Sequence, residues 1–174
     1  KLEKHLVDFN DGDSFLVALS NSDFVFCTIG TTQKKVKGDK EAYRKIDYDI
    51  TVNAARFSKM IGCETFVLVS SVGANSKSNN FYLKLKGEIE DAVKETGLHS
   101  INIMRPSILL GDRKENRLAE TISKKIMSAF SFLVPSKYKA IHGRTVAKAM
   151  KQAAKENKQG FFFHEYKEIK TKAK

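Results

Sequence analysis

The chain has 174 residues, 41% of them hydrophobic, and its 31 Lys and Arg against 20 Asp and Glu give a formal net charge of +11. That length predicts one domain over residues 1 to 174 with room for a real core, no apolar run approaches the 18 or more residues of a membrane span, and the opening Lys1-Leu2-Glu3-Lys4-His5 does not make a signal peptide. The positive charge is scattered and has no RNA-binding or zinc-finger spacing beside it, so it reads as a solvated basic surface that steers anions rather than as a nucleic-acid interface.

Taken in order, short apolar runs alternate with helical patterns, the signature of an α/β fold with a parallel sheet. Leu6-Val7-Asp8-Phe9 reads as the end of a short strand and Asp13 to Leu19 as a short helix. Asp23 to Ile29 is a buried strand stopped by Gly30-Thr31-Thr32, and a Lys-rich loop follows to Lys40. Tyr43, Ile46, Ile50, Ala54, Phe57 and Ile61 recur at spacings of three and four, which predicts a helix from Glu41 to Ile61 ended by Gly62. Thr65 to Val69 is a β-rich run of the kind that forms a buried parallel strand. A helix over Asn80 to Thr96 buries Leu85, Ile89 and Val93 and stops at Gly97. Ser100 to Met104 is the next strand, followed by Arg105-Pro106 and Ile108 to Gly111. The last third is less regular: a helix over Arg117 to Phe130, the short run Ala140-Ile141-His142, a helix over Thr145 to Glu156, and Phe161-Phe162-Phe163 as a buried edge strand, with a partner-binding patch as the alternative. The tail after Glu168 is expected to fray. Cys27 lies inside an apolar run and Cys63 just before one, which suits reduced core thiols and, with them, a cytoplasmic compartment. The four histidines are too dispersed for a metal site.

The most informative feature is Tyr82 and Lys86, eleven residues after the Ser70-Ser71 pair that closes the Thr65 to Val69 run. Positions i and i+4 of a helix share one face, so a phenol and an ammonium project into the same space. A free phenol ionises near pH 10, whereas proton transfer at neutral pH calls for a value near 7. A neighbouring cation favours the phenolate, and the shift of roughly 3 units is worth about 4 kcal/mol. Tyr166 and Lys170 match the same spacing, but only Tyr82 has a hydroxyl-bearing strand end upstream. Strand, loop and helix then place hydroxyl, phenol and amine at the carboxyl edge of the sheet, where open α/β folds bind ligands.

Together, Cys27-Thr28-Ile29-Gly30-Thr31-Thr32, Ser70-Ser71-Val72-Gly73-Ala74, Tyr82-x-x-x-Lys86-Gly87-Glu88, Met104-Arg105-Pro106 and Gly111-Asp112-Arg113 resemble an atypical short-chain dehydrogenase/reductase, closest to the HIV Tat-interacting oxidoreductase-like family, over about Leu6 to Met150. The resemblance implies a Rossmann-like doubly wound sheet binding NADP or NAD, with NADP favoured by family analogy. By the same carry-over Ser71 would hydrogen-bond the substrate carbonyl or hydroxyl, Tyr82 would be the acid/base, and Lys86 would hold the nicotinamide ribose. Asp8 and Phe9 would border the adenine, Gly30, Thr31 and Thr32 would line the ribose and phosphate path, and Pro106, Ser107 and Ile108 would flank the nicotinamide.

One departure matters. The glycine-rich turn that such folds place after their first strand, where backbone N–H groups approach a pyrophosphate, is not in the chain, and the segment ending in Asp8-Phe9 matches a third strand instead. The expectation is a sequence that lacks roughly the first third of the domain. Three functions remain open: an oxidoreductase acting on a small carbonyl or alcohol, with Arg113, Arg117 and Tyr138 of the final third as substrate contacts; a cofactor-binding regulator without turnover; and, less favoured, a nucleic-acid binder. Monomer and homodimer are equally compatible with the polar outer helix faces.

Overall fold

In the computed structural model, residues 3–111 and 135–174 are described. The chain runs α1 (Gly12–Leu19), β1 (Phe24–Cys27), α2 (Lys40–Arg44), a π-helical segment (Lys45–Asp49), α3 (Ile50–Met60), β2 (Thr65–Val69), α4 (Phe81–Glu95), β3 (Ser100–Met104), β4 (Leu109–Leu110), a single 3-10 turn (Ser136–Tyr138), β5 (Ile141–His142), α5 (Gly143–Glu156), β6 (Gly160–His164) and α6 (Tyr166–Lys172). The expected Arg117 to Phe130 helix, Arg113 and Arg117 lie outside the described residues.

The main sheet has the order β1-β2-β3-β6 and every pairing in it is parallel. Parallel neighbours require crossovers, and the crossover helices cover both faces. Phe66 and Leu68 of β2 and Ile101 and Ile103 of β3 point into a core with Phe15, Tyr43, Ala54, Leu85, Ile89 and Val93. Val67 and Met104, on the alternate face, pack with Val146, Ala149, Met150, Ala153 and Ile169 from α5 and α6. This is the doubly wound α/β architecture, and the unbroken apolar runs of β2 and β3 follow from burial on both sides.

Four expectations are corrected. Leu6 to Phe9 is irregular: its backbone finds no strand partner among the described residues, and the Asp8 carbonyl instead accepts a turn bond from the Asp11 amide at 3.2 Å. The β1 run is only half buried, because Val25 and Cys27 face the first core while Phe24 and Phe26, 39% and 46% exposed, meet no covering helix among the described residues. The long helix is interrupted by the π-helical turn, which holds Asp47 on the buried side together with Tyr43 and Thr51. Finally, the tail after Glu168 does not fray. A capping box between Glu165 and Glu168 starts α6, Ile169 is fully buried, and Lys172 Nζ reaches Glu156 Oε2 at 2.6 Å. Of the three phenylalanines, Phe161 packs against the first core, whereas Phe163 is exposed under the Arg105 guanidinium, 3.7 Å from its ring centre. Both cysteines are buried and free.

Candidate active site

The carboxyl ends of β1, β2 and β3 converge on one cavity. β2 delivers Ser70 and Ser71, and the Ser70 amide still bonds the Met104 carbonyl of β3 at 2.8 Å. The following loop is strapped to both of its neighbours: the Val72 amide donates to the Pro106 carbonyl at 3.0 Å and the Asn75 amide to the Leu83 carbonyl at 3.0 Å. Asn80 caps α4 by accepting from the Leu83 amide at 3.1 Å. Tyr82 therefore sits in the first turn of α4, over the loop, and Lys86 one turn deeper. Gly87 makes this approach possible. A Cβ there would overlap the Ser76 amide nitrogen and the Asn75 carbonyl carbon and lie 2.7 Å from Asn75 Cα.

The cavity, about 380 Å³, is lined by Ser71, Tyr82 and Lys86 on one side, by Gly30, Thr31 and Asp47 at the mouth of β1, and by Pro106, Ser107 and Ile108 after β3. Ser71, Tyr82 and Lys86 thus share one cleft. Among the described residues the Ser71 hydroxyl makes one long hydrogen bond, to the Val72 carbonyl at 3.4 Å, which leaves it available to a ligand. Tyr82 is 36% exposed, while Lys86 is 7% exposed with its Nζ 5.9 Å from the Tyr82 ring centre. Ser107 is engaged, its hydroxyl donating to the Tyr138 carbonyl at 2.8 Å.

Three sequence-derived candidates lie elsewhere. Asp8 accepts hydrogen bonds from the Asn10 amide at 2.9 Å and side chain at 3.0 Å, Phe9 packs edge-on against Phe15 with ring centres 4.9 Å apart, and Thr32 closes a turn with the Lys35 amide. None of the three lines the cavity.

Two buried carboxylates were missed. Asp47, 1% exposed, accepts from Lys86 Nζ at 2.8 Å through Oδ2 and from the Thr31 amide at 2.6 Å through Oδ1. Glu90, one turn beyond Lys86, accepts from the Ser70 hydroxyl and from the Arg105 guanidinium, whose Nε lies 3.0 Å away. The Asp47 ion pair reaches Cys27: burial pushes that thiol up, with Lys86 pulling it down and Asp47 raising it. Asp47 is four residues from Tyr43, on the stripe already assigned inward, whereas Glu90, four residues from Lys86, lies beside the apolar Leu85, Ile89 and Val93 stripe and not on it.

The cleft fits part of a nicotinamide nucleotide. Its volume lies in the range of small-molecule sites, Ile29, Val69, Pro106 and Ile108 give its lining apolar surface for a ring, and Ser71, Tyr82 and Lys86 give it hydroxyl and ammonium donors. Among the described residues no group of three or more His, Cys, Asp or Glu is placed to hold a metal ion, and no helix is long and apolar enough to cross a membrane.

The HIM1 family model matches residues 2–139. The chain belongs to the HIM1 family. It is 34% identical to the HTATIP2 protein of Rattus norvegicus over 149 residues, covering 86% of this chain and 60% of that protein. Against the mitochondrial protein FMP52 of Candida albicans it is 43% identical over 107 residues, 59% of this chain and 46% of that one. The HIM1-family chain thus spans about half to three fifths of the length of these relatives. Its fold matches UDP-N-acetylglucosamine 4-epimerase from Bacillus cereus with a TM-score of 0.69 at 17% identity, covering 97% of this chain and 70% of that one. Solved neighbours of the same fold include MoeE5 with UDP-glucose and NAD (TM-score 0.67, 14% identity, 93% and 64% coverage) and dTDP-4-dehydrorhamnose reductase from Bacillus anthracis with NADP (0.64, 16%, 94% and 64%). The chain is thus a HIM1-family relative of HTATIP2 with the doubly wound fold of these solved neighbours. One assignment is overturned: the FMP52 relatives of several fungi are named mitochondrial, against the cytoplasmic compartment expected from the cysteines.

Proposed function

We propose that this protein is an NAD(P)-dependent oxidoreductase acting on a small carbonyl or alcohol, with Ser71, Tyr82 and Lys86 as its proton-transfer set. The observation that carries this reading is the convergence of these three side chains on one cleft beside the apolar Pro106 to Ile108 wall. When bound, a nicotinamide dinucleotide supplies or accepts the hydride. The chain's own residues manage the proton. In the reducing direction Ser71 holds the carbonyl oxygen by a hydrogen bond, and the Tyr82 hydroxyl gives its proton to that oxygen as negative charge develops there. The Lys86 ammonium, on the same helix face, offsets the charge left on the phenol oxygen. The half-exposed position of Tyr82 leaves it a path to recover its proton from solvent.

NAD and NADP are both carried by neighbours of this fold, and the cofactor is assigned here as a nicotinamide dinucleotide, with NADP the family-based preference. The mitochondrial naming of the FMP52 relatives supports a mitochondrial location.

A second reading rests on the Asp47 contact. An ammonium already paired at 2.8 Å has its field partly cancelled, which favours a cofactor-binding regulator that does not turn over. The full-length protein separates the two. Binding of NADPH and NADH is measured by calorimetry and hydride consumption by absorbance across a panel of small aldehydes and ketones, for the parent and for Tyr82→Phe. Turnover that falls at least a hundredfold in Tyr82→Phe, with cofactor affinity kept, supports the oxidoreductase. Binding without turnover supports the regulator, and no nucleotide binding contradicts both.

A further inference from the structure

We propose that the hollow between the last two helices binds a phosphate group carrying two or more negative charges, at a site separate from the cleft at the sheet edge. The hollow, about 230 Å³, is lined by Arg144, Thr145 and Lys148 from the first two turns of α5 and by Lys170, Ala173 and Lys174 from the end of α6. None of these residues lines the cleft. Four of the six are cations and none is an acid.

The sequence supplies the cations in pairs. Arg144 and Lys148 are four residues apart on α5, and Lys170 and Lys174 are four apart at the end of α6, so each pair shares one side of its segment. Ile169 of α6 packs into the second core with Val146, Ala149, Met150 and Ala153 of α5, and that packing brings the two pairs to one space. Like charges at this spacing repel.

Elsewhere the cations drawn into the structure have carboxylate partners: Lys86 has Asp47, Arg105 has Glu90, Arg44 has Glu88 and Lys172 has Glu156. Among the described residues Arg144, Lys148, Lys170 and Lys174 have none. The acids close to them in sequence are committed. Residues 143–174 hold nine Lys and Arg against three Glu; Glu156 meets Lys172 Nζ at 2.6 Å, and Glu165 with Glu168 forms the capping box that starts α6. The first turn of α5 contains no acid. The positive potential of the hollow is therefore left for an anion from solution to balance.

Size and donor chemistry set the ligand class. The hollow is smaller than the sites of about 300 to 1,000 Å³ that enclose whole cofactors, so it takes a compact head group and not a dinucleotide. Arg144 offers a planar fork that matches phosphate oxygens in pairs, the lysines offer mobile point charges, and Thr145 adds a hydroxyl donor. A phosphate monoester brings about two charges where a carboxylate brings one. The lining has no aromatic ring on which a base would stack, which argues against a single-stranded nucleic acid.

The test titrates the full-length protein with inorganic pyrophosphate by calorimetry at low ionic strength, where exposed charges are least screened. A saturable event is expected in the parent. Lys148→Ala combined with Lys170→Ala removes one cation from each helix and is expected to weaken that event by about tenfold or more. Lys151→Ala combined with Lys155→Ala takes the same charge from exposed positions of α5 outside the hollow and is expected to stay within about twofold of the parent. All four lysines are exposed, so both double variants fold. Vesicles of phosphatidylcholine containing phosphatidic acid separate two sources of such a group: protein that sediments with them and is released by pyrophosphate takes a lipid head group, whereas protein that binds pyrophosphate and stays in the supernatant takes a free phosphate compound. No binding of pyrophosphate, binding unchanged in the Lys148 and Lys170 double variant, or an equal loss in both double variants overturns the proposal.

Discussion

Gly87→Ala tests how tightly the loop carrying Ser71 is clamped to the helix carrying Tyr82. Alanine is favoured over glycine in a helix interior by about 1 kcal/mol, so a site with space would gain stability. Here the new methyl would overlap the Ser76 amide nitrogen and the Asn75 carbonyl carbon and sit 2.7 Å from Asn75 Cα. These are backbone atoms, which cannot rotate aside as a side-chain tip would, and the loop is pinned by the Val72 bond to Pro106 and the Asn75 bond to Leu83. Overpacking of a rigid site costs about 3 kcal/mol, leaving a net loss of about 2 kcal/mol after the helix gain. For a chain of this size that lowers the melting temperature by about 4 to 8 °C. Urea denaturation and a thermal scan of Gly87→Ala, with Gly12→Ala as the control because its methyl would meet only Phe57 at 3.6 Å, check the figure. The reasoning is refuted if Gly87→Ala is as stable as the parent.

His164 carries a pH dependence. Burial, with the Lys172 ammonium adding to it, holds the imidazole down at about 4 from an ordinary 6.5. Above pH 6.5 both folded and unfolded chains keep it neutral and stability is unaffected; as the pH falls from 6.5 to 4 the unfolded chain takes a proton that the folded chain refuses, so stability declines by about 3 kcal/mol and then levels. His164→Gln, which retains a donor for the Asn102 oxygen 2.8 Å away, flattens that part of the curve of denaturation midpoint against pH; an unchanged slope contradicts the assignment. Glu90→Ala strips the acceptor shared by Ser70 and Arg105 and leaves a half-buried guanidinium unpaired, a loss of about 3 kcal/mol in urea denaturation, whereas an effect below about 1 kcal/mol would show the pair to be solvated. Asn80→Ala removes the cap of α4 and costs about 1 kcal/mol, with hydrogen exchange of the Tyr82 to Lys84 amides rising before global unfolding; equal protection in both proteins contradicts it.

The parts of this molecule readable from sequence were those governed by periodicity and punctuation. β2 and β3 announced themselves as unbroken apolar runs because helices bury both of their faces, and Leu85, Ile89 and Val93 marked the inner stripe of α4 because a regular helix repeats every 3.6 residues. Convergence of Ser71, Tyr82 and Lys86 on one cleft followed from placing a strand end before a helix start. What could not be read depended on partners far apart in the chain. Asp47 meets Lys86 across 39 residues, through a π-helical turn that no hydrophobic pattern encodes. Glu90 stands beside the apolar stripe of α4, and only the fold brings Ser70 and Arg105 to it. Leu6 to Phe9 has the composition of a strand, yet a strand also needs a neighbour to pair with. The last helix hid for the opposite reason: the tail was expected to fray, while Ile169, with Tyr166 and Ala173 beside it, anchors it in the second core.

Co-crystals of the full-length protein with a nicotinamide dinucleotide test the central claim most directly. The nicotinamide ring is expected against the Pro106 to Ile108 wall, within reach of the Tyr82 hydroxyl and with its ribose beside Lys86. A dinucleotide bound with its ring away from Tyr82, or a cleft that excludes it at saturating concentration, would contradict the account.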